Sequence, residues 1–224
     1  MISEQILHFL LNLKKPVLKT EGVETMNPYG NLETRDLVNN FYTKYYSDSN
    51  NRLAFIGINP GRLGSGLTGI GFTDSVNLEE QCGIENTFGK KRELSSRFVY
   101  DIIEAFGGVA SFYNYVYITS VVPLGFTQNG INLNYYDIKE LEHELKPYII
   151  QQFEKQLPFL RTDVAFCIGK GKNMKFLEKL NKEKGYFDKL EVLPHPRWVM
   201  QYRLKRKQEF IDQFVNTIGG YCNF

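Results

Sequence analysis

The sequence contains few cysteines, and their positions exclude most structures that depend on cysteine. Cys82, Cys167 and Cys222 lie far apart in a chain of 224 residues, and no CxxC pair occurs. Secreted disulfide scaffolds use even numbers of cysteines, and zinc or iron–sulfur sites use closely spaced ones. We therefore expect a reduced protein with neither a disulfide framework nor a cysteine-based metal site.

Long apolar segments are also missing. No run approaches the roughly twenty residues that a membrane-spanning helix requires. The first residues, MISEQILHFLLNLKKP, place an acid where a secretory signal peptide has a basic group, and no small-residue cleavage site follows. We therefore expect a soluble, cytoplasmic protein.

What is present is a globular composition that is rich in aromatic residues. Hydrophobic residues make up 42% of the chain, charged residues 23% and aromatic residues 14%. This length and composition fit a domain with a sizeable core, and no linker or repeat divides the chain. We expect a single domain over residues 1–224, in which residues 1–24 form an N-terminal helical extension.

The basic residues are concentrated near one end of the chain. Residues 170–207 contain twelve Lys or Arg and four acidic residues, a net charge of +8 in a chain whose net charge is +2. Such a region is typical of proteins that bind a polyanion. A solvated, lysine-rich helix face would give the same pattern, so charge alone leaves both interpretations open.

Apolar segments and helical patterns alternate along the chain. The predicted strands are 52–58, 115–122, 163–168 and 189–193. The predicted helices are 33–46, 94–107, 136–157, 172–184 and 201–218, the last with a buried stripe of Leu204, Ile211, Phe214, Val215 and Ile218. Continuous apolar strands between helices predict an α/β fold with a central four-stranded parallel sheet flanked by helices on both faces.

A polar or basic residue lies at the end of each predicted strand. These residues are Asn59, Ser120, Lys170 and His195. The carboxyl ends of parallel strands meet at one edge of a sheet, where ligands bind, so we expect these four side chains to converge. The long glycine-rich connection over 59–93 belongs to the same edge and is expected to be functional.

Within that connection, Gly64, Gly66 and Gly69 have the spacing of a dinucleotide-binding loop. The context differs, because Asn-Pro-Gly follows the strand and residues 70–74 do not read as the start of a helix. A Walker loop is excluded because Leu67 occupies the place of the phosphate-binding lysine. A nucleotide- or dinucleotide-using enzyme remains the weaker alternative.

The chemistry available at the predicted edge is limited. It offers no pair of carboxylates for ordinary glycoside hydrolysis, and His8, His143 and His195 are too scattered to suggest a metal centre. Ser120 has no histidine in its own motif, although His195 could approach it across the sheet edge. What remains is an amide that can hold a water and an imidazole that can stabilise negative charge. That combination suits a reaction whose leaving group departs as an anion.

Several motifs together resemble those of the single-strand-selective monofunctional uracil-DNA glycosylases, the SMUG branch of the uracil-DNA glycosylase superfamily. The motifs are GINPG at 57–61, TGIGF at 68–72, YITSVVPL at 117–124 and His-Pro at 195–196, with NPY at 27–29 and SRF at 96–98. The resemblance covers roughly residues 25–215. It implies a glycosylase fold and a monofunctional enzyme that flips uracil or a related damaged base out of DNA and hydrolyses its N-glycosidic bond, without a metal or another cofactor.

The resemblance also implies roles for individual residues. Asn59 would position the attacking water, and His195 would donate a hydrogen bond to uracil O2 as the base leaves. Phe72 would stack on the flipped base, and Gly61 would leave room for a 5-substituent. Backbone N–H groups of the segment that begins at Ile58 would help to hold the base.

Two positions depart from the family pattern. Ser120 stands where the family has an asparagine that reads the pyrimidine edge, and a hydroxyl cannot form the same bidentate pair. The usual serine-proline-arginine sequence after the histidine motif is also replaced. Arg197, Trp198 and Met200 are therefore the candidates for the wedge that fills the space left by the flipped base.

The expected partner is DNA. Lys170 and Lys172 lie at a glycine turn before a helix, and Arg203 follows the histidine motif, so we expect these three residues to contact phosphates. No membrane contact is expected, and nothing in the sequence indicates an obligate partner, so we expect a monomer. A non-catalytic nucleic-acid-binding module on the same fold is the alternative, although Asn59 and His195 are both present.

Overall fold

In a computed structural model, which describes residues 1–222, the chain folds around a four-stranded parallel sheet. The strands are β1 (Val23–Met26), β2 (Arg52–Gly57), β3 (Val116–Ser120), β4 (Gly125–Gln128), β5 (Ile131–Leu133), β6 (Leu160–Ile168) and β7 (Lys189–Leu193). The order in the parallel sheet is β3-β2-β6-β7. These four strands coincide with the predicted ones to within three residues, so the predicted α/β class with a parallel sheet flanked by helices is confirmed.

The sheet is buried because its central strands are apolar. Every residue of β2 is buried, and Phe55 at its middle pairs in register with Ile118 on β3 and Phe166 on β6. Side chains that alternate to both faces of such a strand must be covered on both sides. The helices provide that cover.

The described helices lie close to the predicted ones, with additions. They are α1 (Ile2–Leu11), α2 (Leu32–Tyr45), α3 (Ser65–Thr68), α4 (Ser75–Glu80), α5 (Leu94–Ala105), α6 (Val109–Tyr115), α7 (Lys139–Gln156), α8 (Lys172–Lys184), α9 (Pro196–Tyr202) and α10 (Lys207–Gly219). Near the start of the chain, α1 buries Ile2, Ile6, Phe9 and Leu10 in the main hydrophobic core. None of the helices over residues 1–222 is long and apolar enough to span a membrane.

The prediction of one helix over 201–218 was wrong. Pro196 begins α9, which ends at Tyr202, and a single 3-10 turn separates it from α10. The interruption turns Leu204 away from the interior, and this residue is 57% exposed. Three members of the predicted stripe, Ile211, Phe214 and Ile218, are buried on α10 as expected, whereas Val215 is only partly buried.

A small antiparallel sheet was not predicted. Its order is β1-β4-β5, and β4 and β5 form a hairpin immediately after β3.

The expectation that residues 70–74 do not lead into a helix also needs correction, because Asp74 caps the start of α4 by accepting a hydrogen bond from the Asn77 N–H at 2.8 Å. The glycine loop itself leads into α3, which has only four residues. A dinucleotide fingerprint requires a long helix at that point.

Candidate active site

The carboxyl ends of the parallel strands surround a cavity of about 410 Å³. Asn59 enters it from the end of β2, Ser120 from the end of β3 and His195 from the segment after β7. Ile58, Gly61, Phe72, Arg197 and Trp198 also line it. The structure therefore brings eight of the twelve predicted site residues into one cavity.

The Asn59 side chain is fixed by the backbone at the end of β5 and just after it. Its Nδ2 donates to the carbonyl oxygen of Leu133 at 3.1 Å, and its Oδ1 accepts from the N–H of Tyr135 at 3.0 Å. An amide oxygen has two lone pairs, so Oδ1 retains one acceptor position for a further donor such as water. The side chain is thus held in one orientation at the cavity wall.

His195 is held as a neutral donor. It caps the N-terminus of α9, where its Nδ1 accepts a hydrogen bond from the Arg197 N–H at 3.2 Å. The ring proton therefore resides on Nε2. Burial, together with the positive charge of Arg197, lowers the pKa of His195 to about 4. The imidazole is therefore uncharged at neutral pH, and its Nε2–H is available to donate a hydrogen bond.

Phe72 forms the aromatic wall of the cavity. Its ring centroid lies 6.1 Å from that of His195 and 6.2 Å from that of Phe55, edge to face in both cases. Its backbone has a φ of 49°, a left-handed conformation that is rare for an aromatic residue and is often found at functional sites. A Cβ at Gly57 would lie 3.3 Å from this ring and 3.4 Å from the Ser120 hydroxyl, so the glycine allows both groups to approach the strand end.

Gly61 and Ile58 complete the wall beside Asn59. A Cβ at Gly61 would stand 3.5 Å from a carboxyl oxygen of Glu93 and 3.6 Å from the side-chain amide nitrogen of Asn132. An added Cβ would therefore make ordinary van der Waals contact with both side chains, and the glycine leaves that space open. Ile58 continues the sheet edge, where its carbonyl oxygen accepts from the Val122 N–H at 3.2 Å.

The wedge candidates lie in different environments. Arg197 and Trp198 are exposed at the cavity rim, and Trp198 is 39% exposed. The Arg203 guanidinium lies 4.8 Å from the Trp198 ring centroid, and the Phe210 ring packs edge to face with the same indole at 5.9 Å between centroids. Met200 is only 7% exposed and faces the interior.

Lys170 and Lys172 lie beside the cavity rather than in its wall. Lys170 is exposed on the turn after β6, where a Cβ at Gly169 would stand 3.9 Å from the His195 side chain. Lys172 begins α8, and its Nζ donates to the carbonyl oxygen of Tyr136 at 3.3 Å. Because Tyr136 lines the cavity, both lysines are close to the edge that holds Asn59 and His195.

Two contributions to the cavity were missed at the level of sequence. One is β5 with the segment that follows it, which adds Asn132, Asn134 and Tyr136. The other is Glu93, which immediately precedes α5 and lines the cavity. The only local signal for Glu93 in the sequence was its position as an acidic residue immediately before the helix predicted over 94–107.

Within residues 1–222, no group of three or more His, Cys, Asp or Glu side chains is arranged to hold a metal ion.

Comparisons with known proteins agree with this geometry. The chain matches the Uracil DNA glycosylase superfamily over residues 43–219. A crystal structure of wild-type Pedobacter heparinus SMUG2 is similar, with a TM-score of 0.95 and 41% sequence identity over 98% of this chain and 97% of that one. No curated protein matches the chain.

These matches extend over nearly the whole fold and include every strand of the parallel sheet. The expected resemblance to SMUG-type glycosylases is thereby confirmed, as is the expectation of a DNA N-glycosylase in base excision repair, with DNA as its partner. The chain belongs to the uracil DNA glycosylase superfamily.

Proposed function

We propose that the cavity receives uracil, or a related damaged pyrimidine, after its nucleotide has been flipped out of DNA. The observation that carries this proposal is the convergence of Asn59 and a neutral His195 on one cavity at the carboxyl edge of the sheet. In this proposal Asn59 and His195 are the catalytic residues, and water hydrolyses the bond between the base and C1′ of the sugar.

The two residues act on opposite ends of the breaking bond. Asn59 holds the attacking water through the free acceptor position of Oδ1, since its other contacts fix the amide in place. His195 donates from Nε2 to uracil O2, where negative charge develops as the base leaves. A preorganised donor of this kind contributes about a hundred- to a thousandfold to the rate.

The remaining wall residues hold the base. Phe72 stacks on the ring, and the Ser120 hydroxyl both donates to and accepts from the edge of the base. The segment from Ile58 to Gly61 supplies backbone contacts and leaves space beside a 5-substituent. Because a hydroxyl is shorter than an amide and less selective, we propose a broader range of bases than an asparagine at 120 would permit.

DNA docks on the surface that surrounds the cavity. Lys170, Lys172 and Arg203 are proposed to contact phosphates, which would position the duplex or single strand without reading its sequence. Arg197 and Trp198 are the proposed wedge, because both stand at the rim, whereas Met200 faces inward and would support α9. We further propose that the enzyme acts as a cytoplasmic monomer. Its three cysteines are unpaired, which fits a reducing compartment.

The substrate range is tested by incubating the protein with single- and double-stranded oligonucleotides, followed by alkali and gel electrophoresis. The oligonucleotides carry uracil, 5-hydroxymethyluracil, thymine, hypoxanthine or xanthine. Alkali-dependent cleavage at uracil supports the proposal, and comparison with Ser120→Asn shows whether residue 120 sets the range. Identical profiles for the two proteins would refute the role given to Ser120.

Two further measurements, DNA binding at several salt concentrations and thermal melting with nucleotides, separate the alternatives. If no base is excised while salt-dependent DNA binding persists, the protein is a binding module. If NAD or ATP raises the melting temperature, the glycine loop serves a nucleotide instead.

A further inference from the structure

The proposed reaction releases a proton that neither Asn59 nor His195 can accept. As water attacks C1′, the C1′–O bond forms and the bond to the base breaks, with its electron pair leaving on the base. The water must lose a proton. An asparagine amide orients the water but is not basic, and His195 has Nδ1 engaged by the Arg197 N–H and a proton already on Nε2.

Glu93 is the one carboxylate among the residues that line the cavity in the described part of the chain. The other titratable lining groups are poor acceptors. The guanidinium of Arg197 has no acceptor position, and the phenol hydroxyls of Tyr136 and Tyr202 are weakly basic acceptors. Burial raises the pKa of Tyr136 to about 12. This leaves Glu93 as the acceptor of the proton.

The geometry places the Glu93 carboxyl beside the turn that follows Asn59. Its two oxygens lie against Gly61 and Gly64, since an added Cβ would stand 3.5 Å from Oε1 at Gly61 and would overlap Oε2 at Gly64. A side chain at residue 64 would therefore displace the carboxyl. The backbone of Glu93 is fixed as well, because its N–H donates to Oδ2 of Asp74 at 2.8 Å.

The electrostatic surroundings keep this carboxyl near the midpoint of its titration. Burial and repulsion by Asp74 raise the pKa of Glu93 to about 7, and the attraction of Arg197 opposes that rise. Asp74 approaches from the segment before α4 and Arg197 from α9, while neighbouring Arg92 is engaged by Glu80. A general base is most effective when its pKa is close to the working pH.

We propose that Glu93 is a further catalytic residue, the general base that accepts the proton of the water held by Asn59 while the C1′–base bond breaks. The carboxylate becomes a carboxylic acid in that step and later returns the proton to solvent, so no reactant other than water and DNA is needed. This inference rests on the proposed function. It also assigns a role to Gly64, which keeps the carboxyl within the cavity.

The test is the pH dependence of the single-turnover rate of uracil excision, with enzyme in excess over DNA. For the unmodified protein, the rate is expected to rise between about pH 6 and pH 8.5 as Glu93 ionises, with a midpoint near 7 or higher because bound phosphates oppose ionisation. Glu93→Gln should be slower by about a hundredfold and independent of pH over this range. Gly64→Ala, which displaces the carboxyl, should also reduce the rate, and formate should partly rescue Glu93→Ala.

Glu104→Gln is the matched control, because Glu104 is exposed near the end of α5, the helix that Glu93 precedes, and lies outside the cavity. It should retain the rate and pH profile of the unmodified protein. If Glu93→Gln excises uracil at an unchanged rate with an unchanged profile, or if the rate falls as Glu93 ionises, the role of Glu93 is refuted while the proposed function stands. If the unmodified protein excises no base at all, the proposed function fails and this inference fails with it.

Discussion

The backbone N–H of Tyr135 donates a hydrogen bond of 3.0 Å to Oδ1 of Asn59, which lies 76 positions earlier in the chain. The Tyr135 hydroxyl in turn donates to Oδ1 of Asn173 on α8 at 3.1 Å. Asn173 is buried and its Nδ2 lies within 3.4 Å of the carbonyl oxygen of Gly57 at the end of β2. The orientation of Asn59 is thus determined by contacts from three separate parts of the fold.

This arrangement predicts that Asn59→Asp lowers stability and activity, even though aspartate is a stronger base. A carboxylate oxygen would replace Nδ2 opposite the carbonyl oxygen of Leu133, now 3.1 Å away, and the two acceptors would repel each other. We expect a loss of about 1–3 kcal/mol in the free energy of unfolding. Urea unfolding measures it, with exposed Asn39→Asp on α2 as the control. Unchanged stability and a faster reaction would contradict the assigned contacts.

Tyr135→Phe should destabilise the protein by about 1–3 kcal/mol, because the side-chain oxygen of buried Asn173 would lose its donor. The Tyr135 N–H remains, so Asn59 should keep its partner, and the excision rate should fall less than in Asn59→Ala. Urea unfolding and single-turnover kinetics on the same preparation give both values. A loss of activity equal to that of Asn59→Ala, without a loss of stability, would contradict the separate roles of the Tyr135 N–H and the Tyr135 hydroxyl.

The protonation state of His195 is also testable. With its pKa lowered to about 4, His195 stays neutral through the neutral range, so in a Glu93→Gln background the rate should fall only as the pH approaches about 4. The unfolded chain takes up a proton nearer its usual pKa of about 6.5, so stability should decline as the pH falls from about 6.5 to 4. NMR titration of the imidazole resonances measures the pKa directly. A value near 6.5 would show that the ring is charged in mildly acidic conditions.

Glu93 should reduce the free energy of unfolding in the pH range in which its ionised carboxylate supports activity. Its pKa is raised to about 7 in the fold, so the stability present at low pH is lost as the pH rises from about 4.5 through 7 and the buried carboxyl must ionise. We expect Glu93→Gln to be more stable than the unmodified protein at about pH 8, by on the order of 2 kcal/mol, and similar at about pH 4. Urea unfolding at both pH values is the measurement. A destabilised variant at the higher pH would mean that the carboxylate is stabilised by contacts stronger than its burial.

The proposed phosphate contacts predict a change in salt dependence. Lys170→Ala should weaken DNA binding at low salt and reduce the slope of log K against log salt by about one, since one phosphate contact is lost. The control is Lys14→Ala, which removes an exposed charge at the other end of the chain. Fluorescence anisotropy from about 50 to 200 mM salt gives the slopes. Equal slopes for Lys170→Ala and the unmodified protein would show that Lys170 does not contact a phosphate.

The parallel sheet could be predicted because its strands are short apolar runs with clear limits. The convergence of Asn59, Ser120 and His195 followed from the general position of strand ends in such a sheet, and the structure brings them into one cavity. The β4–β5 hairpin was missed because its strands have four and three residues and β5 is largely exposed, so neither shows an apolar pattern.

Glu93 could not be recognised from sequence because its properties come from distant residues. Its raised pKa depends on burial, on Asp74 and on Arg197, and these are brought together only by the packing of α5 against α4 and α9. The break between α9 and α10 was also hidden, since Trp198 to Phe214 contains neither glycine nor proline.

The central claim is that Asn59 and His195 together catalyse base excision from one cavity. The most direct test is the single-turnover rate of uracil release from a single-stranded oligonucleotide by Asn59→Ala, His195→Ala and the double variant. We predict a loss of about a hundredfold or more in each single variant, with folding and DNA affinity retained. Uracil release at the unmodified rate by either single variant would contradict the account.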